Sequence, residues 1–421
     1  MRLARLALVA AACLLPAGAG PAPQPYVVES YDARIALDPA RERLAGEVAI
    51  RYRSRAGTLD TLELDAGPAV EIGAVLDGGT RLKYERQGGL LRVALVSPAP
   101  GGVERTVTIR YQAGPGKGLK FFPDQVYTEF FTSDWMVCND RPDGRATLRL
   151  RVAAPKGWLV AASGAASGAS QWRVDSPTAP FLYGFASGRF QETGEGNLRV
   201  LGSADTMRNA PAILEATRAA LRFFAASSGR DYPAPLYTQA FTHSNPMQEN
   251  AALTLLPESY ASGLGARPDD LWLLAHELAD QWYAIGIPCQ DWSDFWLNEG
   301  MATFLADAFL ESRFGSERYE REIATSREIY ERLRGEGKDR ALSSHAWNTA
   351  NEASGRIPYH KGAVVLDLLR RQMGDEAFWR GLQIYTRDNW NRPVTSRELQ
   401  TAMDAAAGKS LAGFFDQWVY R

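Results

Sequence analysis

The chain has 421 residues, 45% apolar and 23% charged, with a formal net charge of −2. That length exceeds one ordinary domain, and the apolar content is enough for a sizeable core. The near-neutral charge gives no footing for nucleic acid or an anionic membrane as partner.

Residues 1–19 read as a signal peptide. Arg2 and Arg5 precede an apolar stretch from Leu6 to Leu15, Pro16 breaks it, and Ala17-Gly18-Ala19 offers a small-residue cleavage site. The stretch is too short to span a bilayer, and no other long apolar run follows. A soluble, exported protein is expected, periplasmic or extracellular. Lipid attachment through Cys13 is the second choice, because the apolar run continues past that cysteine. Cleavage leaves Cys138 and Cys289. An oxidising compartment permits a disulfide, but spacing alone does not prescribe one.

From Tyr26 to about Phe190, short alternating runs recur between Gly and Pro clusters, among them Leu44 to Tyr52, Leu91 to Val96 and Val107 to Tyr111. They predict an N-terminal β-rich domain over 26–195, a sandwich or saddle-like sheet. The Ala161 to Ser170 tract reads as a loop. Over 196–421 the helical period dominates. Helices are expected from Ala212 to Ala226, from Pro268 through Tyr283, and onward to about Arg313 with Ser293 as cap. Arg318 to Arg334 reads as a charged helix, and four more follow at Lys361 to Met373, Glu376 to Asn389, Ser396 to Ala407 and Leu411 to Tyr420. Two strands are expected between Leu236 and Leu256. The fold class is therefore α+β, with strands first and helices second.

The chemistry centres on Ala275-His276-Glu277-Leu278-Ala279-Asp280-Gln281-Trp282. A helix presents residues i and i+4 on one face, so His276 and Asp280 point the same way, with Glu277 beside the first. Zinc peptidases use such a pair of ligands and a neighbouring glutamate that takes a proton from water. A lone His-Glu pair is weak evidence. Nineteen residues after Asp280 stands Glu299, in Trp296-Leu297-Asn298-Glu299-Gly300.

These two blocks resemble the gluzincin aminopeptidases of the membrane alanyl aminopeptidase and leukotriene-hydrolase type, which read H-E-L-A-H-Q-W and then W-L-N-E-G. Every residue matches except Asp280. Two further blocks agree. Pro246-Met247-Gln248-Glu249-Asn250 stands where the family has G-x-M-E-N, with Glu249 and Asn250 matching and the glycine and methionine replaced, and Pro358-Tyr359-His360-Lys361-Gly362 matches P-Y-x-K-G. The resemblance implies a β-domain followed by a thermolysin-like catalytic domain. It implies one zinc ion, or another divalent metal, held by His276, Asp280 and Glu299, with Glu277 activating water and Tyr359 steadying the oxyanion. Glu249 would grip the substrate's free amine, with Gln248 and Asn250 beside it. Glu129 is the nearest candidate for a second amine contact from the β-domain. The substrate implied is a peptide with a free N-terminus.

Asp280 sets this chain apart. Carboxylate oxygen is a legitimate zinc ligand, but aspartate reaches less far than an imidazole. Two carboxylates also neutralise more of the metal's charge and favour harder ions such as manganese or iron. Family members often carry an acid seven residues after the glutamate ligand, as partner to a ligand histidine. Here that position is Ala306, which suits a site with no imidazole N–H at position 280. Among the remaining histidines, His360 is the best substitute ligand. The rival expectation is a non-catalytic relative whose cleft binds a peptide or protein partner. A third keeps hydrolysis and changes the substrate, with Pro246-Met247-Gln248 reshaping the pocket.

Overall fold

The computed structural model describes residues 24–55, 57–345, 347, 349 and 355–421. The expected signal peptide and Cys13 lie outside them. Alternation builds the first half: Ala33, Ile35 and Leu37 turn inward while Arg34 and Ala36 face out, the period of two that gives a sheet one apolar face. In chain order the strands are β1 Tyr26–Asp38, β2 Arg43–Ser54, β3 Thr58–Asp65, β4 Val70–Asp77, β5 Thr80–Arg81, β6 Lys83–Gln87, β7 Leu90–Pro100, β8 Glu104–Ala113, β9 Leu119–Phe121, β10 Gln125–Thr128, β11 Ala146–Ala153, β12 Leu159–Ala162, β13 Ala165–Gly168, β14 Gln171–Thr178 and β15 Phe185–Gly188. One large sheet runs in the order β13-β14-β11-β1-β2-β8-β4-β5 and a small one runs β3-β7-β6. Their inner faces meet in one apolar cluster, with Leu62 and Val93 from the small sheet against Ile35, Val48 and Ile109 from the large one. That is a β-sandwich.

The second half opens with β16 Gln191–Glu195, β17 Leu198–Gly202, β18 Tyr237–Thr242, β19 Gln248–Asn250 and β20 Leu253–Pro257, in the spatial order β16-β17-β18-β20-β19. The edge strand β19 runs antiparallel to β20. A third sheet of the first half, β12-β15-β10-β9, joins this one through a small cluster in which Tyr127 and Ala186 meet Ala240 and Leu255. The helices are α1 Ala204–Ser228, α2 Glu258–Leu264, α3 Trp272–Asp280, α4 Trp296–Phe314, α5 Ser316–Gly335, α6 Arg356–Met373, α7 Asp375–Asn389, α8 Ser396–Ala407 and α9 Ala412–Trp418. They share one large apolar core.

Local chemistry sets several boundaries. Ser203 caps α1 by accepting from Thr206 N–H, and Gly229 ends it at φ 70°, the left-handed turn glycine permits. Thr395 and Glu398 form a capping box on α8. Helices α4 and α6 cross at Gly300 and Gly362, where a methyl on Gly362 would sit 2.7 Å from the Gly300 Cα.

Four expectations change. The helix expected from Pro268 starts at Trp272, and after Asp280 the chain widens into a π-turn over Gln281–Gly286. Ser293 caps nothing: Asp291 accepts from its N–H to start a short turn at Trp292–Asp294, and α4 begins after Phe295. The Ala161 to Ser170 tract contributes to β12 and β13, because small side chains pair in a sheet as readily as they loop. Three strands, not two, lie between Leu236 and Pro257. Cys138 and Cys289 are buried in separate apolar clusters and unpaired. No described helix is long and apolar enough to cross a membrane.

Candidate active site

The buried helix α3 carries His276, Glu277 and Asp280, and the first turn of α4 carries Glu299. The His276 Nε2 lies 3.4 Å from Glu299 Oε2 and 3.9 Å from Asp280 Oδ2. Trp272, one turn before His276, stacks on the imidazole with ring centres 4.9 Å apart. Tyr359, from the start of α6, lies nearly parallel to it at 5.9 Å. The Thr303 hydroxyl stands 3.5 Å from Nδ1, and Trp272 in turn donates its indole N–H to Asp307 at 2.8 Å.

Strand β19 brings Glu249 to the same place. Its Oε2 accepts from the Gln248 amide at 2.7 Å, and Gln248 Oε1 accepts from the Phe130 backbone N–H at 2.5 Å. Gln248 therefore joins the end of the β-domain to the carboxylate beside it. Gln281, the first residue of the π-turn, accepts from Ala252 N–H and donates to the Asn250 carbonyl, both at 3.0 Å. Asn250 packs against Gly184, where a methyl would come within 2.5 Å of its Oδ1. π-turns inserted in helices are frequent at functional sites, and this one places the Gln281 amide to tie the end of α3 to the end of β19 and the turn that follows it.

Glu249, Glu277, Asp280 and Glu299 are four buried carboxyl groups. Among the described residues, none of them forms an ion pair with lysine or arginine. Desolvation pushes all four up, and mutual repulsion adds to it for Glu249, Glu277 and Asp280. Glu299 is pushed up to about 8 by burial, against the hydrogen bond it receives from Tyr359. The Tyr359 hydroxyl is pushed up too, by burial and then by the Glu299 charge. Glu249 Oε1, Glu277 Oε2 and Asp280 Oδ1 are buried with no hydrogen-bond partner. Buried negative groups of this density need a cation or protons.

The donor set fits a divalent cation. Zinc accepts imidazole nitrogen and carboxylate oxygen at about 2.0–2.2 Å, so neighbouring donors of a tetrahedral ion stand roughly 3.4 Å apart. His276 and Glu299 have that spacing. Asp280 stands further off, and no group of three such side chains among the described residues closes into a finished cage.

The remaining candidates go elsewhere. Glu129 ends an ion pair with Lys120 at 3.6 Å, one residue from the Phe130 amide. His360 turns to Ser326 at 3.2 Å, His345 to Ser293 at 3.1 Å, and His243 lies 3.0 Å from both Asp124 and Glu258. None of these three stands in for a ligand at position 280. Trp272, Thr303, Asp307 and Gln281 were not among the expected site residues. Helical spacing could have found three of them: Trp272 lies four before His276, and Thr303 and Asp307 lie four and eight after Glu299.

Residues 213–418 match the peptidase family M1 domain. That match covers just under half of the chain. It is 26% identical over 364 residues to aminopeptidase N of Streptomyces lividans, covering 78% of this chain and 42% of that one. It is 29% identical over 202 residues to aminopeptidase N of Lactococcus lactis, covering 45% and 24%. The chain thus spans less than half the length of these relatives. Among solved structures it shares its fold with yeast LTA4 hydrolase, at a TM-score of 0.82 and 16% identity over 94% of this chain and 68% of that one. A mutant M1 zinc metallopeptidase from Deinococcus radiodurans, bound to a Tyr-Ser-Ala substrate, aligns at a TM-score of 0.75 and 23% identity over 94% of both chains. The α+β architecture read from the sequence is the fold of these M1 proteins.

Proposed function

We propose that this chain is an exported metallopeptidase of the M1 family that removes N-terminal residues from peptides. The observation that carries the reading is the convergence of four buried carboxyls on one imidazole, with no lysine or arginine paired to them among the described residues. His276, Asp280 and Glu299 would hold the divalent metal, zinc by family membership. When bound, the metal supplies Lewis acidity toward the scissile carbonyl and water. The chain's own groups do the rest. Glu277, with Oε2 unpartnered, takes the proton of the attacking water and delivers it to the leaving amine. Tyr359 donates its hydroxyl hydrogen bond to the oxyanion. Glu249, held at Oε2 by Gln248, leaves Oε1 free to accept from the substrate ammonium. Gln248 acts through Glu249 and is a positioning residue. Asn250 fixes the end of β19, and Glu129 borders the amine end through Phe130.

The domain limits proposed are 26–195 for the β-rich part and 196–421 for the catalytic part. A second reading, a cleft that binds peptide without turnover, is favoured by the looser stand-off of Asp280. One experiment separates them. Hydrolysis of short free-amine peptides is followed in metal-replete protein and in Glu277→Gln, with metal content measured beside Asp280→Ala. The peptidase reading expects about one metal per chain, reduced in Asp280→Ala, and hydrolysis lost in Glu277→Gln. Hydrolysis undiminished in Glu277→Gln defeats it, and metal-free protein that binds peptides without turnover supports the second reading.

A further inference from the structure

The outer face of the large sheet holds charges that the sandwich core does not explain. Arg34 on β1 sits directly beside Arg151 on β11 in the strand register, and Arg149 on β11 sits beside Arg173 on β14. All four side chains are exposed. Like charges opposite one another across strands are destabilising, so an ordinary sheet surface intersperses acids. Here the nearby acids do not serve. The register places Glu47 next to Arg34, but Glu47 pairs with Arg110 at 2.6 Å. Asp32 lies next to Arg149 in register, yet no ion pair between them forms within 4.0 Å. Asp175 takes only Arg173, at 3.1 Å, and both are more than half exposed. Among the described residues Arg34, Arg149 and Arg151 have no carboxylate partner.

These residues line a cavity of about 360 Å³ between β1, β11 and β14, which is the size of a small-ligand site. Neighbouring strands stand about 4.8 Å apart, and alternate residues on one strand about 6.6 Å. The four arginines sit on three adjacent strands, so their guanidinium forks cover a patch on the order of 10 by 7 Å. Guanidinium groups bind phosphate through paired parallel hydrogen bonds. The two acids on the rim, Asp32 and Asp175, leave an excess of two positive charges in the cavity.

We propose that this cavity binds a ligand carrying adjacent phosphate groups, away from the catalytic cleft. Its source is either a free phosphorylated molecule or the phosphorylated headgroup of a lipid. Full-length protein is titrated with pyrophosphate by calorimetry at about 0.15 M salt, where exposed long-range charge effects are screened. In parallel it is sedimented with phosphatidylcholine vesicles with and without phosphatidic acid. The variants are Arg34→Ser/Arg151→Ser, Arg149→Ser, and the control Arg51→Ser/Arg53→Ser, which removes the same charge from arginines that have Glu29 as partner. Expected is saturable one-to-one pyrophosphate binding, weakened at least about tenfold in the first double variant and little in the control. Binding of phosphatidic acid vesicles alone, lost in the same variant, assigns the headgroup as the source. Thermal melts at or above wild type in Arg34→Ser/Arg151→Ser show that the fold survives. No binding of either probe, or equal loss in both double variants, overturns the proposal.

Discussion

Gly362→Ala tests how the fold holds the site. Helices α4 and α6 touch backbone to backbone at Gly300 and Gly362, and α4 carries Glu299 while α6 carries Tyr359. A methyl on Gly362 would lie 2.7 Å from the Gly300 Cα, so the helices must part by about 1 Å to reach ordinary contact. Replacing glycine inside a helix returns about 0.5–1 kcal/mol of propensity, whereas overpacking a tight contact costs about 1–3 kcal/mol. Because the obstacle is backbone, the second effect wins, and a net loss of about 1–2 kcal/mol is expected. Gly413→Ala in α9, where nothing lies within 4 Å of the new methyl, is the control and should be neutral or slightly stabilising. Urea unfolding of both variants gives the difference from the midpoints at constant slope. Peptide hydrolysis should fall by up to about 100-fold, because shifts near 1 Å among reacting groups have that cost. Gly362→Ala gaining stability as Gly413→Ala does would refute the reasoning.

Gln248→Met breaks the clamp on Glu249 and releases the Phe130 amide. It should raise KM for free-amine peptides about tenfold, the loss of one charge-assisted hydrogen bond, with kcat changed much less; steady-state kinetics that show only a kcat loss would count against a positioning role. Asp140 tests pH dependence away from the site. Burial, with repulsion from Asp65 and Asp134, pushes its carboxyl up to about 7, against the hydrogen bond from Ser133 N–H. An unfolded aspartate titrates near 3.9, so between about pH 4 and 7 the folded state holds a proton the unfolded chain has lost. Stability from this group is therefore present at low pH and declines as pH rises through that window. Asp140→Asn should flatten that decline, seen as a smaller difference between urea midpoints at pH 5 and pH 8; an unchanged difference would show that Asp140 does not govern it.

The elements that carried period and punctuation were legible. α8 occupies the expected Ser396–Ala407 because its Thr395 cap and terminal Gly408 are both explicit in sequence. The motif blocks placed His276, Glu277, Asp280 and Glu299 on two buried helices, where the structure has them. What sequence could not show is pairing through space. Gln248 reads as a substitution in the x-M-E-N block, and only the fold brings it to the Phe130 amide, 118 residues away. The π-turn after Asp280 was hidden for a similar reason. Gln281 leaves regular helical geometry to serve Asn250 and Ala252, a tertiary demand that overrides a local sequence suited to helix. The strands β12 and β13 were missed because Ala, Ser and Gly carry no alternation of polarity to read.

The absence of an acid at position 306 finds its explanation on α4. Ala306 is buried in the helical core, so a carboxylate there would add a fifth desolvated acid to the four already buried in the site. An acid is worth that cost only if an imidazole N–H waits for it, and Asp280 offers none. The polar line on α4 instead runs Glu299, Thr303, Asp307, one residue per turn. Thr303 faces the His276 Nδ1, and Asp307 accepts the indole N–H of Trp272, whose ring covers the same imidazole. Orientation of the single histidine thus comes from a hydroxyl at its edge and an aromatic plane on its face. Each of these is fixed from a different turn of α4. The support around His276 holds the imidazole in one orientation, whichever reading of Asp280 is correct.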